Sequence, residues 1–132
     1  MVESPFPIKQ PTREQLQQLK RGMVVLAELS RSKGNELSKT RPAVIVSTDA
    51  ANVKMATLVI VPFCSVKKKP PSDRSLFVTA GTAGLLVDSV AKVLQVRTID
   101  RFIRVREIWG VLPAPALQQV ARATALWALG LA

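Results

Sequence analysis

A small number of polar and charged residues in this 132-residue chain can take part in chemistry. Arg41 precedes Pro42, and the proline ring forces extended geometry on the arginine before it, so that Arg41 leaves a predicted strand in a defined direction. An arginine offers a planar fork of N–H donors that suits a phosphate, and it stays charged. The loop that leads to it carries Asn35, Glu36 and Lys39. This pattern predicts either an anion-binding site or a solvated loop whose arginine pairs with a neighbouring acid.

A second group follows the apolar run 57–63, where Cys64 and Ser65 precede Lys67 and Lys68. The thiol and the hydroxyl can hydrogen-bond a phosphate oxygen while the lysines attract a polyanion. The alternative is a buried cysteine that packs as a small hydrophobic residue beside a basic surface turn.

A third group lies in the segment 95–101, QVRTIDR. The period-two alternation of a strand predicts that Gln95 and Arg97 lie on one face, where both can reach a nucleic acid. Thr98 and Asp100 suit turn or cap positions whatever the function is.

The composition narrows the chemistry further. The chain has no histidine, no tyrosine and one cysteine, which excludes a Cys/His zinc site, a disulfide framework and a Ser-His or Cys-His nucleophile pair within one chain. We also expect no metal and no cofactor. Nineteen Lys and Arg against nine Asp and Glu give a net charge of +10, which favours an anionic partner such as a nucleic acid or a membrane surface. Residues 107–132 carry one charge of each sign, so the excess lies before them.

Hydrophobic patterning predicts a mainly β fold in which short strands form a small barrel, with a helix at each end. Thr12 and Gln15 have capping-box spacing for a short N-terminal helix that runs to about Lys20, after an extended, proline-containing arm. No apolar run approaches the roughly 20 residues that span a bilayer, and no signal-peptide pattern is present, so we expect a soluble cytoplasmic protein. The predicted strands are Met23–Ser30, Ala43–Ser47, Thr57–Phe63, Leu76–Thr79, Val90–Val96 and Ile103–Trp109, and the C-terminal helix runs from Pro113 to Leu131.

Taken in order, these segments resemble the MazF/PemK (Kid) family of toxin endoribonucleases over residues 20 to 131. The resemblance implies a small SH3-like β-barrel (CcdB/MazF-like) that works as a homodimer, with residues 21–132 as the toxin domain and residues 1–20 as an N-terminal arm outside the family pattern. The motifs that carry it are Arg21-Gly22, Gly34-Asn35-Glu36, Arg41-Pro42, Asn52, Cys64-Ser65, Gln95 to Asp100 and Gly110 to Leu112.

The resemblance also implies an activity, namely metal-independent, sequence-specific cleavage of single-stranded RNA. In it the ribose 2′-hydroxyl attacks its own phosphate and leaves 2′,3′-cyclic phosphate and 5′-hydroxyl ends, and a cognate antitoxin with an acidic or disordered segment blocks the toxin. Arg41 matches the catalytic arginine of the family, and Cys64 falls where the family has Thr or Ser. Either Ser65 replaces that group, or activity is reduced, or the alignment shifts by one residue. The implied RNA-binding residues are Asn35, Glu36, Lys39, Lys67, Lys68, Gln95 and Arg97.

Two other functions stay open at this stage. The apolar C-terminus, Trp127 to Leu131, suits a toxin of the same fold that binds a protein target such as DNA gyrase and cuts nothing. A change at Cys64 alternatively fits an RNA-binding homologue that has lost catalysis. The order and spacing of the motifs favour the nuclease.

Overall fold

The computed structural model describes residues 4–29, 39–66 and 76–131. The fold is mainly β with short helices and one longer C-terminal helix, as the sequence predicts. No helix in these ranges is long and apolar enough to cross a membrane. The helices are α1 (Arg13–Gln17), α2 (Asp49–Asn52), α3 (Arg101–Arg104) and α4 (Ala114–Ala123), and the strands are β1 (Met23–Leu29), β2 (Lys39–Ile45), β3 (Thr57–Ser65), β4 (Phe77–Val78), β5 (Ser89–Ala91), β6 (Arg97–Asp100) and β7 (Val105–Val111).

The strands form one antiparallel sheet in the order β4-β5-β3-β2-β1-β7. The seventh strand, β6, lies outside this linear order and pairs with the first residues of β3. The sequence predicts a barrel, but in the described ranges the end strands β4 and β7 do not pair, so the sheet stays open. The N-terminal arm occupies the free edge of β7 instead. Ile8 and Ile108 exchange two backbone hydrogen bonds of 2.8 and 2.9 Å, which covers part of an edge that would otherwise expose unpaired N–H and C=O groups.

Each face of the sheet buries its own core. Successive side chains of a strand point to opposite faces, so Val25 and Ala27 pack into one core while Val24 packs into the other. The first core lies under the N-terminal arm, where Leu16 and Leu19 are buried. The second lies under α4, which contributes Val120. The N-terminal arm is thus a packing element of the fold.

The predicted strand Val90–Val96 is wrong, because the chain forms two strands with a 3₁₀ turn, Val93–Gln95, between them. Both strands pair with β3: Ala91 lies opposite Phe63, and Arg97 lies opposite Ile60. Residues 92–96 therefore span only two residues of β3, and the turn takes up the excess length. Gln95 ends that turn and Arg97 begins β6, so no single strand presents both side chains.

The predicted strand Ile103–Trp109 starts too early. The Asp100 carboxylate accepts hydrogen bonds from the N–H groups of Phe102 and Ile103, at 2.9 and 3.1 Å, and so caps the short helix α3. The strand begins only at Val105. Asp100 is thus the cap residue that its type predicts.

The C-terminal helix also departs from prediction in its last turns. Regular α-helix ends at Ala123 and a π-helical turn covers Thr124–Ala128, where the Leu129 N–H donates to the Thr124 carbonyl. A π-turn holds more residues than an α-turn and rotates the positions that follow it. The helical pattern predicts Trp127 on the packed face, but its exposed fraction is 70%.

One buried charge joins the helices to the sheet. Arg101 is 1% exposed, and its guanidinium donates hydrogen bonds to five backbone carbonyls. Two belong to Leu16 and Gln17 at the end of α1, where carbonyls lack partners within the helix. Burial lowers the pKa of Arg101, an effect that the neighbouring Asp100 carboxylate opposes. The other three acceptors are the carbonyls of Asn52, Met55 and Ala56.

We predict that Arg101→Met lowers the free energy of unfolding by about 2–4 kcal/mol, since it leaves several buried carbonyls without a donor. Arg101→Lys should also destabilise, because an ammonium has three donors on one atom and cannot reach all five acceptors. Urea unfolding followed by tryptophan fluorescence measures both effects. Arg122→Met, at an exposed position of α4, is the control. An unfolding midpoint for Arg101→Met equal to that of the control would contradict the prediction.

Candidate functional site

The candidate site lies where β2 and β3 stop pairing. Their ladder has three pairs and ends at Ala43 opposite Pro62. Pro42 lacks the N–H that the next ladder hydrogen bond to β3 would require, and beyond this point β3 pairs with β5. The two strands therefore separate at this end of the sheet. Continuing the same register two residues beyond the last pair places Arg41 opposite Cys64.

The structure places these two predicted residues in direct contact. The Nη1 atom of Arg41 donates to the Cys64 sulfur at 3.6 Å, and both side chains are half-buried. Two expectations about their setting need correction. Arg41 and Pro42 lie inside β2, not at its start, because β2 begins at Lys39, and Cys64 and Ser65 are the last residues of β3 and not part of the next loop.

The remaining predicted residues near this contact divide into two groups. Ser65 is exposed and lies opposite Ser89, and Lys39 is exposed at the first position of β2, in the left-handed region with φ of 67°. Asn35, Glu36, Lys67 and Lys68 lie outside the described residues.

Gln95 and Arg97 are next to each other but apart from the Arg41–Cys64 contact. Arg97 Nη2 donates to Gln95 Oε1 at 3.3 Å. Arg97 lies opposite Ile60, four residues before Cys64 on β3, which corresponds to about 13 Å along a strand. The Arg41–Cys64 pair and the Gln95–Arg97 pair are thus separate groups that lie at different positions along β3.

Arg97 lines a cleft of about 550 Å³ between the sheet and the C-terminal helix. The same cleft contains Arg21, a residue of the Arg-Gly motif that was not among the predicted site residues, and the residues Ser47, Thr48 and Thr98. Two guanidinium groups and several hydroxyls in one cleft are suited to an anionic ligand. Gln95 lines a separate cleft of about 400 Å³ with Lys92 and Trp127.

Asn52, a motif residue in the sequence, is structural. It is 3% exposed; its amide donates to the Ser47 carbonyl at 3.0 Å and to Asp49 Oδ1 at 3.3 Å, and its Oδ1 accepts from the Ser47 hydroxyl at 2.6 Å. That hydroxyl also accepts from the Val59 N–H on β3. Asn52 therefore fixes the turn that borders the cleft.

Asp49 links this turn to Arg21. Its Oδ1 accepts the Arg21 backbone N–H at 2.7 Å, and this hydrogen bond is the main reason why the pKa of Asp49 lies below its ordinary value; the amide of Asn52 adds to the effect. The Arg21 side chain donates from Nε to the Val46 carbonyl at 3.3 Å. These contacts hold the wall of the cleft in place.

The arrangement can bind and stabilise negative charge. Arg41 supplies a permanent cation, and Cys64 and Ser65 supply a thiol and a hydroxyl beside it. Within the ranges 4–29, 39–66 and 76–131, no three His, Cys, Asp or Glu side chains are grouped so that they could hold a metal ion. The chemistry that the Arg41, Cys64 and Ser65 side chains can supply is electrostatic stabilisation and hydrogen bonding.

Comparison with known proteins adds independent information. A family model described as "PemK-like, MazF-like toxin of type II toxin-antitoxin system" matches residues 20–127. The curated relatives include Endoribonuclease MazF9 of Mycobacterium tuberculosis, 34% identical over 94 residues that cover 65% of this chain and 78% of that protein. Endoribonuclease EndoA of Bacillus subtilis is 30% identical over 83 residues, 63% of this chain and 72% of that protein.

Solved structures share the fold. MazF from Deinococcus radiodurans matches with a TM-score of 0.66 and 25% identity over 86% of this chain and 97% of that chain. A MazE-MazF structure from the same organism matches with a TM-score of 0.63 and 23% identity, over the same shares of the two chains. The short arm before residue 20 lies outside the family match.

We predict that the contact between Asp49 and Arg21 makes folding stability depend on pH. Because the folded-state pKa of Asp49 is depressed, its contribution is present above the ordinary value of 3.8 and is lost as the pH falls through the lower, folded-state pKa. Asp49→Asn should therefore lose less stability than the wild type between about pH 4 and pH 2. Urea unfolding at several pH values measures this, with Glu14→Gln as a control of equal charge change. Parallel curves for Asp49→Asn and the wild type would refute it.

Proposed function

Since the chain belongs to the family of PemK-like, MazF-like toxins of type II toxin-antitoxin systems, we propose that it is a metal-independent endoribonuclease that cleaves single-stranded RNA at short sequences. The observation that carries the proposal is the contact between Arg41 and Cys64 at the rim where β2 and β3 part. This contact places the Arg41 guanidinium beside the Cys64 thiol at an accessible edge of the sheet. The relatives named as endoribonucleases support the same activity.

In this reaction the substrate supplies its own nucleophile. The ribose 2′-oxygen bonds to the adjacent phosphorus and loses its proton, the bond from phosphorus to the 5′-oxygen breaks, and that oxygen gains a proton. The products are a 2′,3′-cyclic phosphate and a 5′-hydroxyl. The enzyme needs only to align the attack and to stabilise charge on the phosphorane, which a chain without histidine can do.

Arg41 is the residue that stabilises the phosphorane. Its guanidinium can donate two parallel hydrogen bonds to phosphate oxygens, so its role is electrostatic and not proton transfer. Cys64 orients this guanidinium through its sulfur and hydrogen-bonds the substrate at the position where the family has Thr or Ser. Ser65, the next residue, is exposed and offers a hydroxyl at the same end of β3.

The basic residues along the sheet bind the rest of the RNA. Lys39 borders Arg41 on β2, and Gln95 and Arg97 lie about 13 Å away along β3, so one extended strand of RNA can touch both groups. The net charge of +10 supplies a sequence-independent attraction for phosphates. Asn35, Glu36, Lys67 and Lys68 are proposed RNA contacts on the sequence pattern.

The toxin works as a homodimer and is inhibited by a cognate antitoxin with an acidic or disordered C-terminal segment. The structure from Deinococcus radiodurans that contains MazE with MazF supports the antitoxin. Several large apolar side chains at the C-terminal end are more than 45% exposed, which suits a protein–protein contact. They are Leu126, Trp127, Leu129 and Leu131.

We predict discrete fragments when the purified protein is incubated with a long single-stranded RNA in EDTA. Their ends should carry 2′,3′-cyclic phosphate and 5′-hydroxyl groups, which end-specific labelling and mass spectrometry identify. Intact RNA at a high excess of enzyme would count against the nuclease. Tight RNA binding without cleavage would indicate the non-catalytic homologue, and inhibition of purified gyrase in a supercoiling assay would indicate a protein-directed toxin.

Arg41→Ala should lower the cleavage rate by roughly 10²–10³-fold or more, because it removes the main stabiliser of the transition-state charge. The melting temperature should change by only about 3 °C, because Arg41 is half-buried at the rim of the sheet and lies outside both hydrophobic cores. Arg122→Ala, an exposed arginine on α4, is the matched control and should cleave as the wild type does. A large thermal loss in Arg41→Ala would mean that this residue is structural.

The role of Cys64 can be tested by three replacements. Cys64→Ser should cleave at least as fast as the wild type because a hydroxyl is a stronger hydrogen-bond donor than a thiol. Cys64→Ala should be slower by roughly tenfold, about 1.4 kcal/mol of transition-state stabilisation. Ser65→Ala is the comparison at the adjacent position. A Cys64→Ala enzyme as fast as the wild type, beside an inactive Ser65→Ala enzyme, would transfer the role to Ser65.

A further inference from the structure

Near the end of β1, Glu28 is shared by two arginines. Arg104 Nη1 lies 3.7 Å from Glu28 Oε1, and Arg106 Nη2 donates to Glu28 Oε2. The hydrogen bond from Arg106 and its charge, with a smaller effect of Arg104, hold the pKa of Glu28 below its ordinary value. The carboxylate is therefore ionised at neutral pH, and the three groups together keep one excess positive charge. The Arg106 side chain is 52% exposed, so this charge is open to solvent.

The backbone directs both arginines to this carboxylate. In the ladder between β1 and β7, Leu26 lies opposite Glu107 and Ala27 lies opposite Val105, so Arg106 is an extra residue in β7. Such a bulge re-aims a side chain that would otherwise follow the pleat, and bulges are common next to active sites. Arg104 arrives from a different element, as the last residue of α3.

This cluster borders the candidate site. Ala27 lies directly opposite Arg41, and Glu28, the next residue of β1, lies opposite Thr40. With the usual spacing of strands and residues, the Cα atoms of Glu28 and Arg41 are about 6 Å apart. Successive side chains leave a sheet on opposite faces, so the cluster and Arg41 lie on either side of one rim. A polymer that crosses the rim at Arg41 meets Arg104 and Arg106 next.

We propose that Arg104 and Arg106, oriented by Glu28, form a second phosphate subsite that binds the RNA backbone beside the cleaved phosphate. This inference rests on the proposed function. A guanidinium has five N–H donors, so the contact of Nη2 with Glu28 leaves donors of Arg106 for a phosphate. The subsite contacts the backbone and not the bases, and it therefore adds affinity without sequence preference. It positions the strand and takes no part in bond cleavage.

The binding test uses a mixed-sequence, single-stranded 20-mer with 2′-O-methyl groups, which has no free 2′-hydroxyl and is not cut. Fluorescence anisotropy gives its Kd for the wild type, Arg104→Gln, Arg106→Gln and the control Arg122→Gln at several salt concentrations. Each lost phosphate contact should weaken binding and reduce the slope of log K against log salt by roughly 0.7. Arg106→Lys, which retains the charge, should restore most of the slope.

Steady-state cleavage of a long RNA provides the second measurement. Arg106→Gln should raise KM and leave kcat near the wild-type value, because the subsite binds ground state and transition state alike. If the wild type cuts RNA but Arg104→Gln and Arg106→Gln match the control in Kd, salt slope and KM, the subsite is refuted while the nuclease stands. A lower melting temperature with an unchanged slope also refutes it, since the ion pairs would then be structural only. A wild type that neither binds nor cuts RNA refutes the proposed function itself.

Discussion

The position of β3, which pairs with three other strands, depends on the buried guanidinium of Arg101. A charge taken out of water is costly unless hydrogen bonds compensate for it, and here the compensation comes from backbone carbonyls of two segments, residues 16–17 and 52–56. One of them, Ala56, directly precedes β3, and its carbonyl accepts from both the backbone and the side chain of Arg101. The end of β6 is therefore tied to the start of β3. The same side chain ties α1 and the exit of α2 to this point, so the arm, the turn and the strand form one unit.

From that fixed start, β3 divides its nine residues among three partners, namely β6, β2 and β5. The change of partner determines the site. Because β2 follows β3 for only three pairs, the last residues of β3 are free of β2, and Pro42 prevents the ladder from continuing. A rim of parted strands is what allows Arg41 and Cys64 to face each other and remain accessible. The side chains of the candidate site are thus brought together because the ladder between β2 and β3 ends here.

The sequence was sufficient for the parts of the fold with local causes. The capping box of Thr12 and Gln15 forms, Asp100 caps a helix, and the apolar strands β1 and β3 begin at the predicted residues. The extended geometry required before a proline also gave the correct state for Arg41. Wrong predictions concern features with causes elsewhere in the chain. The break between β5 and β6 reflects the length of β3 that both must share, and the exposure of Trp127 reflects a π-turn that helical periodicity does not contain.

The same distinction applies to the site. Cys64 could be chosen from sequence because the resemblance gave its neighbours in order, yet its contact with Arg41 depends on a register that no local pattern specifies. Arg104 and Arg106, in contrast, could not be chosen from the sequence. Nothing in their spacing marks them, since one ends a helix and the other occupies a bulge, and only the shared carboxylate of Glu28 brings them together. For a ligand as long as an RNA strand, affinity is distributed over many phosphates. A binding surface for such a ligand is therefore built from tertiary contacts of this kind, whereas Arg41, the arginine proposed to be catalytic, lies in a sequence motif.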